Sequence, residues 1–131
     1  MTTFILVHGT FTSSAHWPAL QNALARTALD AGEHPSFEEI KWTGKNRASA
    51  RHKAAFAILE LVQRIHSKSV NEKIFIIGHS HGGSAIAYFL KLRGYSQVVG
   101  CIFLSTPFLR KLSAGGERIR TFGSAMRLHR R

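Results

Sequence analysis

The sequence predicts an α/β fold in three layers, a mainly parallel sheet of about four strands with helices packed on both faces. Short apolar runs alternate with longer segments whose apolar residues recur at helical spacing, so the predicted order is β-α-β-α-β-α-β. Strands that are separated by helices are mostly parallel, because each crossover returns the chain to the same end of the sheet. The length of 131 residues is enough for one such domain.

Three of the four predicted strands are apolar enough to be buried on both faces. They are "TFILVHG" at 3–9, "KIFIIG" at 73–78 and "VVGCIFLSTP" at 98–107. The remaining strand, "SFEEIKWTG" at 36–44, mixes charged and apolar side chains, which predicts a less buried strand nearer a sheet edge. Pro107 ends the last strand, since proline cannot donate a hydrogen bond to the ladder.

The three segments between the strands show helical periodicity. The first has Ser13 or Ser14 as candidate N-cap and Gly32 as its stop. Its apolar stripe consists of Leu20, Leu24, Ala28 and Ala31. The second, at 47–68, places apolar residues on one face and charges on the other. The third, at 82–94, follows the buried strand at 73–78 almost directly.

The apolar periodicity fades after residue 108, so we expect an ordered core at 1–108 and a basic, weakly structured tail at 109–131. The net charge is +11, and the tail alone contributes +6. A cationic tail attracts anionic lipid, and weak contact with a membrane surface is an alternative to a simply solvated terminus. No nucleic-acid motif accompanies the charge, so we expect no nucleic-acid partner.

Cys101 is the only cysteine, which excludes an internal disulfide and is typical of a reducing compartment. The stretch "MTTFILVHG" lacks the charged start and the long apolar run of a signal peptide. We therefore expect a cytoplasmic protein.

The turn "GHSHG" at 78–82 joins a buried strand to a helix with no intervening loop. So tight a turn predicts strained backbone angles at Ser80, with Gly78 and Gly82 present because larger side chains would collide with the neighbouring elements. Ser80 then lies at the N-terminus of the helix, where the amide of His81 and the helix dipole favour a developing negative charge.

The stretch "VHGT" ends the first strand and belongs with this turn. An oxyanion needs a second donor, which usually comes from the loop after a neighbouring strand. Gly9 lets the backbone approach closely, and the amide of Thr10 or Phe11 is the candidate donor.

Together these motifs resemble the α/β-hydrolase fold, over roughly residues 3–108. The pattern "HGTF", "GHSHGG" and "STPF" is similar, more narrowly, to lipase-like hydrolases related to GPI-inositol-deacylase-like esterases. The resemblance implies a partial α/β-hydrolase fold and a serine hydrolase that acts on an ester, a lipid or another acyl substrate without a cofactor. Ser80 would be the nucleophile, the amides of His81 and Thr10 the oxyanion hole, and His8 a structural residue of the loop.

The base and acid of a catalytic triad are harder to find. In the family they follow the serine in chain order, on loops after later strands. After Ser80, Glu117 is the only acidic residue and His129 the only histidine besides His81. Neither Glu117 nor His129 follows a recognisable strand, so His129 is only a candidate base, and His81 is an imperfect substitute.

Three interpretations follow from this gap. The chain is a fragment or frameshifted product, or a compact variant whose tail supplies His129, or a non-catalytic relic used for binding or assembly. The first describes the chain best, and the third is the alternative to hydrolase function. In the first case the last strand would be an exposed apolar edge, which predicts self-association.

Other side chains near the turn have two interpretations each. Phe11 and Trp17 wall an acyl pocket or are simple core aromatics. His79 and His81 have the His-x-His spacing of metal ligands, but no third ligand is evident, so we expect no metal.

Overall fold

The computed structural model describes residues 1–10, 17–92 and 95–107, together with the backbone of residues 129 and 130. The elements in chain order are strand β1 (Thr2–Val7), helix α1 (Trp17–Asp30), strand β2 (Pro35–Glu39), helix α2 (Ala48–Lys68), strand β3 (Lys73–His79), helix α3 (His81–Phe89), a 3₁₀ turn (Tyr95–Gln97), strand β4 (Val98–Leu104) and strand β5 (His129–Arg130).

The sheet has the strand order β2-β1-β3-β4-β5. Its first four strands are parallel, which confirms the predicted sheet of four parallel strands with flanking helices. Strand β5 is short and antiparallel, with Arg130 opposite Gly100 and His129 opposite Cys101.

Strand β5 bears on two expectations. Residues 129–130 form a short strand, while the rest of the tail at 109–131 lies outside the described residues, so the weakly structured tail stays a prediction. The outer edge of β4 is also paired in part, at Gly100 and Cys101, rather than fully exposed. Self-association through this edge stays a prediction.

The sheet buries both faces, as the apolar runs predicted. Helices α2 and α3 pack on one face, where the core contains Ile5 and Val7 of β1. Helix α1 packs on the other face over Phe4 and Leu6, the alternate residues of the same strand. Because successive strand side chains point to opposite faces, one unbroken apolar strand supplies both cores.

The predicted edge strand is confirmed, but it is shorter than expected. Residues 36–44 were predicted to form it, whereas β2 ends at Glu39. Strand β1 ends at Val7, so after the hydrogen bond from Ile40 N to Leu6 O the chain has no neighbouring strand with which to pair. The chain then crosses the end of the sheet as a loop.

Helix α1 ends as predicted, at a left-handed glycine. Gly32 has φ +72°, and the amide of Glu33 donates to the carbonyl of Ala28, which satisfies a carbonyl of the last turn. Ala31, assigned to the apolar stripe, is exposed just beyond the helix. The candidate caps Ser13 and Ser14 lie outside the described residues. No helix in the described part of the chain is long and apolar enough to span a bilayer.

Burial predicts that Cys101 is chemically inert in the folded protein. Its side chain is 5% exposed, and burial raises the pKa of its thiol to about 12. Because the thiolate is the reactive form, a disulfide reagent such as Ellman's should not react with the native protein near about pH 8, and should react once guanidinium unfolds it. Equal rates in the native and unfolded states would contradict this burial, and Cys101→Ser is the blank.

Candidate active site

Three parallel strands end side by side at one edge of the sheet. Val7 of β1 is in register with Gly78 of β3, and His79 of β3 is in register with Leu104 of β4. The loops that follow these strands therefore open at the same place. Ligands of open parallel sheets bind at this carboxyl edge, outside the strand ends.

Ser80 lies in the turn between β3 and α3 with strained backbone angles. Its φ is 52° and its ψ is −126°, a combination that is costly for any residue with a Cβ. Two backbone hydrogen bonds hold the turn, from Ser80 N to Leu104 O at 2.9 Å and from Gly83 N to Ser80 O at 3.0 Å. The strain that the sequence predicted at this position is present, and Ser80 is half-buried.

The glycines on either side of Ser80 lie where a side chain would not fit. A Cβ on Gly78 would come within 2.6 Å of both the Gly83 nitrogen and the Ile86 side chain, and a Cβ on Gly82 would overlap the carbonyl oxygens of Val7 and His8. These contacts let α3 begin directly against β1 and β3.

A third glycine of the turn was missed from the sequence. A Cβ on Gly83 would overlap the side chain of Thr106, which follows β4. The sequence signal for this contact was the doubled glycine of "HGG". Its second glycine, Gly83, lets α3 also lie close to the segment that follows β4. Ser105 also has a positive φ, 47°, which the sequence did not indicate.

The loop after β1 lies against Ser80. A Cβ on Gly9 would be 2.7 Å from the Ser80 Cβ and 2.9 Å from the His79 carbonyl oxygen. On the opposite side of this loop, a Cβ on Gly44 would be 3.1 Å from the Gly9 carbonyl oxygen and 3.6 Å from the Thr10 Cα. The loop is therefore confined between the serine turn and the segment that follows β2, with Gly9 against Ser80 and Thr10 next along the chain.

His8 fixes the shape of this loop. Its Nδ1 lies 2.9 Å from the Gly9 carbonyl oxygen, and a carbonyl only accepts, so Nδ1 carries the proton. The indole of Trp42 donates to the His8 carbonyl at 3.0 Å, and the two rings lie 5.6 Å apart. Contacts of this kind are those of a residue that organises the loop.

Three buried polar atoms surround the turn without hydrogen-bond partners in the described part of the chain. They are Thr10 Oγ1, His81 Nδ1 and Thr106 Oγ1. A buried polar atom without a partner typically costs about 1–3 kcal/mol. A bound water or a polar ligand at this edge would satisfy them.

Burial lowers the pKa of His81, and the positive charge of Arg51 lowers it further. Both effects favour the neutral imidazole. Near neutral pH, His81 is therefore an uncharged ring that can accept a proton.

The other predicted site residues lie further away or outside the described residues. Trp17 is 6% exposed and belongs to the core under α1, which fits its interpretation as a core aromatic. Phe11 and Glu117 are outside the described residues, as is the side chain of His129, whose backbone pairs with Cys101. Within the described ranges no histidine hydrogen-bonds a carboxylate, and no group of three or more His, Cys, Asp or Glu side chains is arranged to hold a metal.

Replacing Gly82 by alanine should destabilise the fold, although alanine is the better helix former. The new methyl group would collide with the carbonyl oxygens of Val7, the last residue of β1, and of His8, and the Val7 carbonyl cannot move without disturbing the sheet. We expect the free energy of unfolding in urea to fall by about 3 kcal/mol. Gly32→Ala is the control, since no atom lies within 4 Å there and only the φ of +72° resists a side chain. Equal losses in the two variants would contradict the close packing.

The lowered pKa of His81 makes stability depend on pH. In the unfolded chain His81 binds a proton below its ordinary pKa of 6.5, whereas in the folded chain it binds that proton only at lower pH. The free energy of unfolding should therefore decrease as the pH falls through that range. His81→Gln should have a shallower dependence in urea titrations between about pH 7 and pH 5. His34→Gln, which removes an exposed histidine, is the control. A slope unchanged by His81→Gln would show that the ring is solvated in the folded state.

Comparison with known proteins places the fold. A family model described as "Alpha/beta hydrolase family" matches residues 4–131. A cutinase-like protein from Cryptococcus sp. is 16% identical, with a TM-score of 0.63, over 79% of this chain and 52% of that one. The catalytic core of acetyl xylan esterase from Trichoderma reesei is 14% identical, with a TM-score of 0.57, over 80% and 63%.

An extracellular alpha/beta-hydrolase from a Paenibacillus species is 15% identical, with a TM-score of 0.56, over 84% of this chain and 43% of that one. No curated protein matches the sequence. The chain thus spans about half to two thirds of the length of the first solved structures that it matches, which are similar to it in fold. These matches do not identify the GPI-inositol-deacylase-like subgroup. Because the family model matches nearly the whole length of the chain, the chain belongs to the alpha/beta hydrolase family.

Proposed function

We propose that the chain is a serine hydrolase that acts on a carboxylic ester, a lipid ester or another acyl substrate. One observation carries the proposal: Ser80 is held at φ 52° at the start of a helix, with the Gly9–Thr10 loop against it. A strained, non-glycine residue at the carboxyl edge of a parallel sheet is the geometry that projects a nucleophile toward substrate. Esterases and a cutinase-like protein among the matching folds support the same class of substrate.

In the proposed reaction, the Ser80 hydroxyl oxygen attacks the ester carbonyl carbon and a tetrahedral intermediate forms. The amides of His81 and Thr10 donate to the oxyanion. The His81 amide is available because the first amides of a helix have no partner within it, and the dipole of α3 adds a partial positive charge there. One such donor typically contributes about 3 kcal/mol to the transition state.

The Ser80 proton requires an acceptor, and we propose two candidates. His129, with Glu117 as its orienting acid, follows the chain order of the family, although its backbone pairs with Cys101, about 13 Å along the strands from the level of Ser80. His81 is the second candidate, because its lowered pKa keeps the ring neutral. The acceptor returns the proton to the leaving alcohol, and water then releases the acyl group from Ser80 by the same route in reverse.

A second candidate function is a binding or assembly module without turnover. The observation that favours it is the absence, within the described residues, of a histidine hydrogen-bonded to a carboxylate. A serine without a functioning base is a weak nucleophile, so such a site would bind an acyl ligand and leave it intact.

A fluorophosphonate probe should label the folded protein at Ser80, and Ser80→Ala should abolish the labelling. Because the serine is the attacking group, kcat/KM for a p-nitrophenyl ester should fall by about a thousandfold or more in that variant. Ser67→Ala is the control, since the Ser67 hydroxyl donates only to the Arg64 carbonyl on the surface of α2. Labelling lost in His129→Ala but kept in His81→Gln would identify His129 as the base, and the reverse would identify His81.

Folded protein that binds p-nitrophenyl esters without cleavage and takes up no probe would contradict hydrolysis. That result would favour the binding module. Circular dichroism of each variant separates loss of chemistry from loss of fold.

A further inference from the structure

A cationic cleft lies between the segment after β2 and the first turns of α2. Its volume is about 380 Å³. Four basic side chains line it, those of Lys41, Lys45, Arg47 and Lys53. Two hydroxyl side chains, Thr43 and Ser49, also line it. None of the described residues that line it is acidic. We refer to it below as the basic cleft.

Among the residues that the structure describes, the four basic side chains of the basic cleft form no ion pair. Within the described residues every ion pair involves Glu33, which binds Lys73 and the N-terminus at the opposite end of the strands. Like charges that line one cleft repel one another, and an anion bound among them relieves that repulsion. The first turn of α2 carries no acid, and its N-cap residue Arg47 forms no side-chain cap, so the helix dipole adds to the positive potential.

The basic cleft is built on a segment that leaves the sheet at the same edge as Ser80. It follows β2, whereas Ser80 follows β3, and β1 lies between the two strands. Adjacent strands lie about 4.8 Å apart, so about 10 Å separates the ends of β2 and β3. Gly44 within the cleft segment contacts the Gly9–Thr10 loop, which in turn contacts Ser80.

We propose that the basic cleft binds an anionic group of the substrate, a carboxylate or a phosphate, held on the order of 10 Å (the spacing of the ends of β2 and β3) from the carbonyl that Ser80 attacks. The inference rests on the proposed hydrolase function and adds a substrate class to it. The preferred substrates are esters with a distal negative charge rather than neutral esters. The apolar wall formed by Trp42 and Ala57 accommodates the chain that joins the two groups.

Two esters with the same acyl chain, one with and one without a distal negative charge, test the effect of that charge on kcat/KM. The mono-4-nitrophenyl ester of suberic acid carries a free carboxylate at the required distance, and its 4-nitrophenyl methyl diester is neutral. At low ionic strength kcat/KM should be higher for the acid. In the Lys45→Gln/Lys53→Gln double variant the ratio of the two values should fall about fivefold, the effect of losing two exposed charge pairs.

The matched control is Arg64→Gln/Lys68→Gln, which removes the same charge from the other end of α2. Lys53 and Arg64 are separated by about 16 Å along the helix axis, so this variant should change the ratio less than about twofold. An equal decrease in both double variants would attribute the preference to net charge and overturn the proposal. Equal kcat/KM values for the two esters with the unmodified chain would also overturn it, while leaving hydrolysis itself intact.

A binding measurement separates failure of this inference from failure of the proposed function. In Ser80→Ala, titration with suberate or inorganic phosphate should shift the amide resonances of residues 45–53, and Lys45→Gln/Lys53→Gln should weaken that binding. If these shifts occur but no variant with Ser80 cleaves either ester, the cleft binds anions and the hydrolase proposal fails. If the shifts are absent, or are unchanged in the double variant, the anion site is wrong. A response to only one of the two anions identifies the group.

Discussion

The site depends on how closely helix α3 approaches the ends of β1 and β3. That approach leaves no room for side chains at Gly9, Gly78 and Gly82, where a Cβ would meet backbone or Cβ atoms of neighbouring segments. Atoms of this kind cannot rotate away as the end of a long side chain can. The three glycines therefore set the position of the helix, and the helix in turn sets the backbone angles of Ser80.

Hydrogen bonds around the turn offset the backbone strain at Ser80. The unfavourable φ and ψ cost of order 1–3 kcal/mol, and a comparable amount returns through the hydrogen bonds that the turn makes with β4 and with its own first helical turn. Since β4 accepts the Ser80 amide, that strand helps to hold the turn in addition to extending the sheet. The geometry of the serine is thus a property of three neighbouring strands rather than of a local loop.

The sequence predicted the parts of this arrangement that arise from chain chemistry alone. Unbroken apolar strands, the glycine stop at Gly32 and the spacing of "GHSHG" each have one simple structural solution, and the fold, strand positions and strained serine followed from them. The end of β2 could not be predicted, because it depends on where β1 stops. The contact of Gly83 with Thr106 and the pairing of residues 129–130 with β4 join segments far apart in sequence. The basic cleft was missed for a different reason: its basic residues all lie within 41–53, but that stretch lines a cleft only because α2 lies beside the segment that follows β2.

The net charge of the chain is +11, and at this edge of the sheet the positive charges act on individual groups. Arg51 lies in the first turns of α2, the same region that supplies Arg47 and Lys53 to the basic cleft, and its charge lowers the pKa of His81. Cationic side chains beside a partly buried imidazole disfavour its protonated form, so a ring in this place stays able to accept a proton at neutral pH. The same charges attract an anionic group to the neighbouring cleft. A bound anion would offset part of that positive potential and raise the proton affinity of His81, so occupancy of the cleft and protonation of the ring are coupled through space.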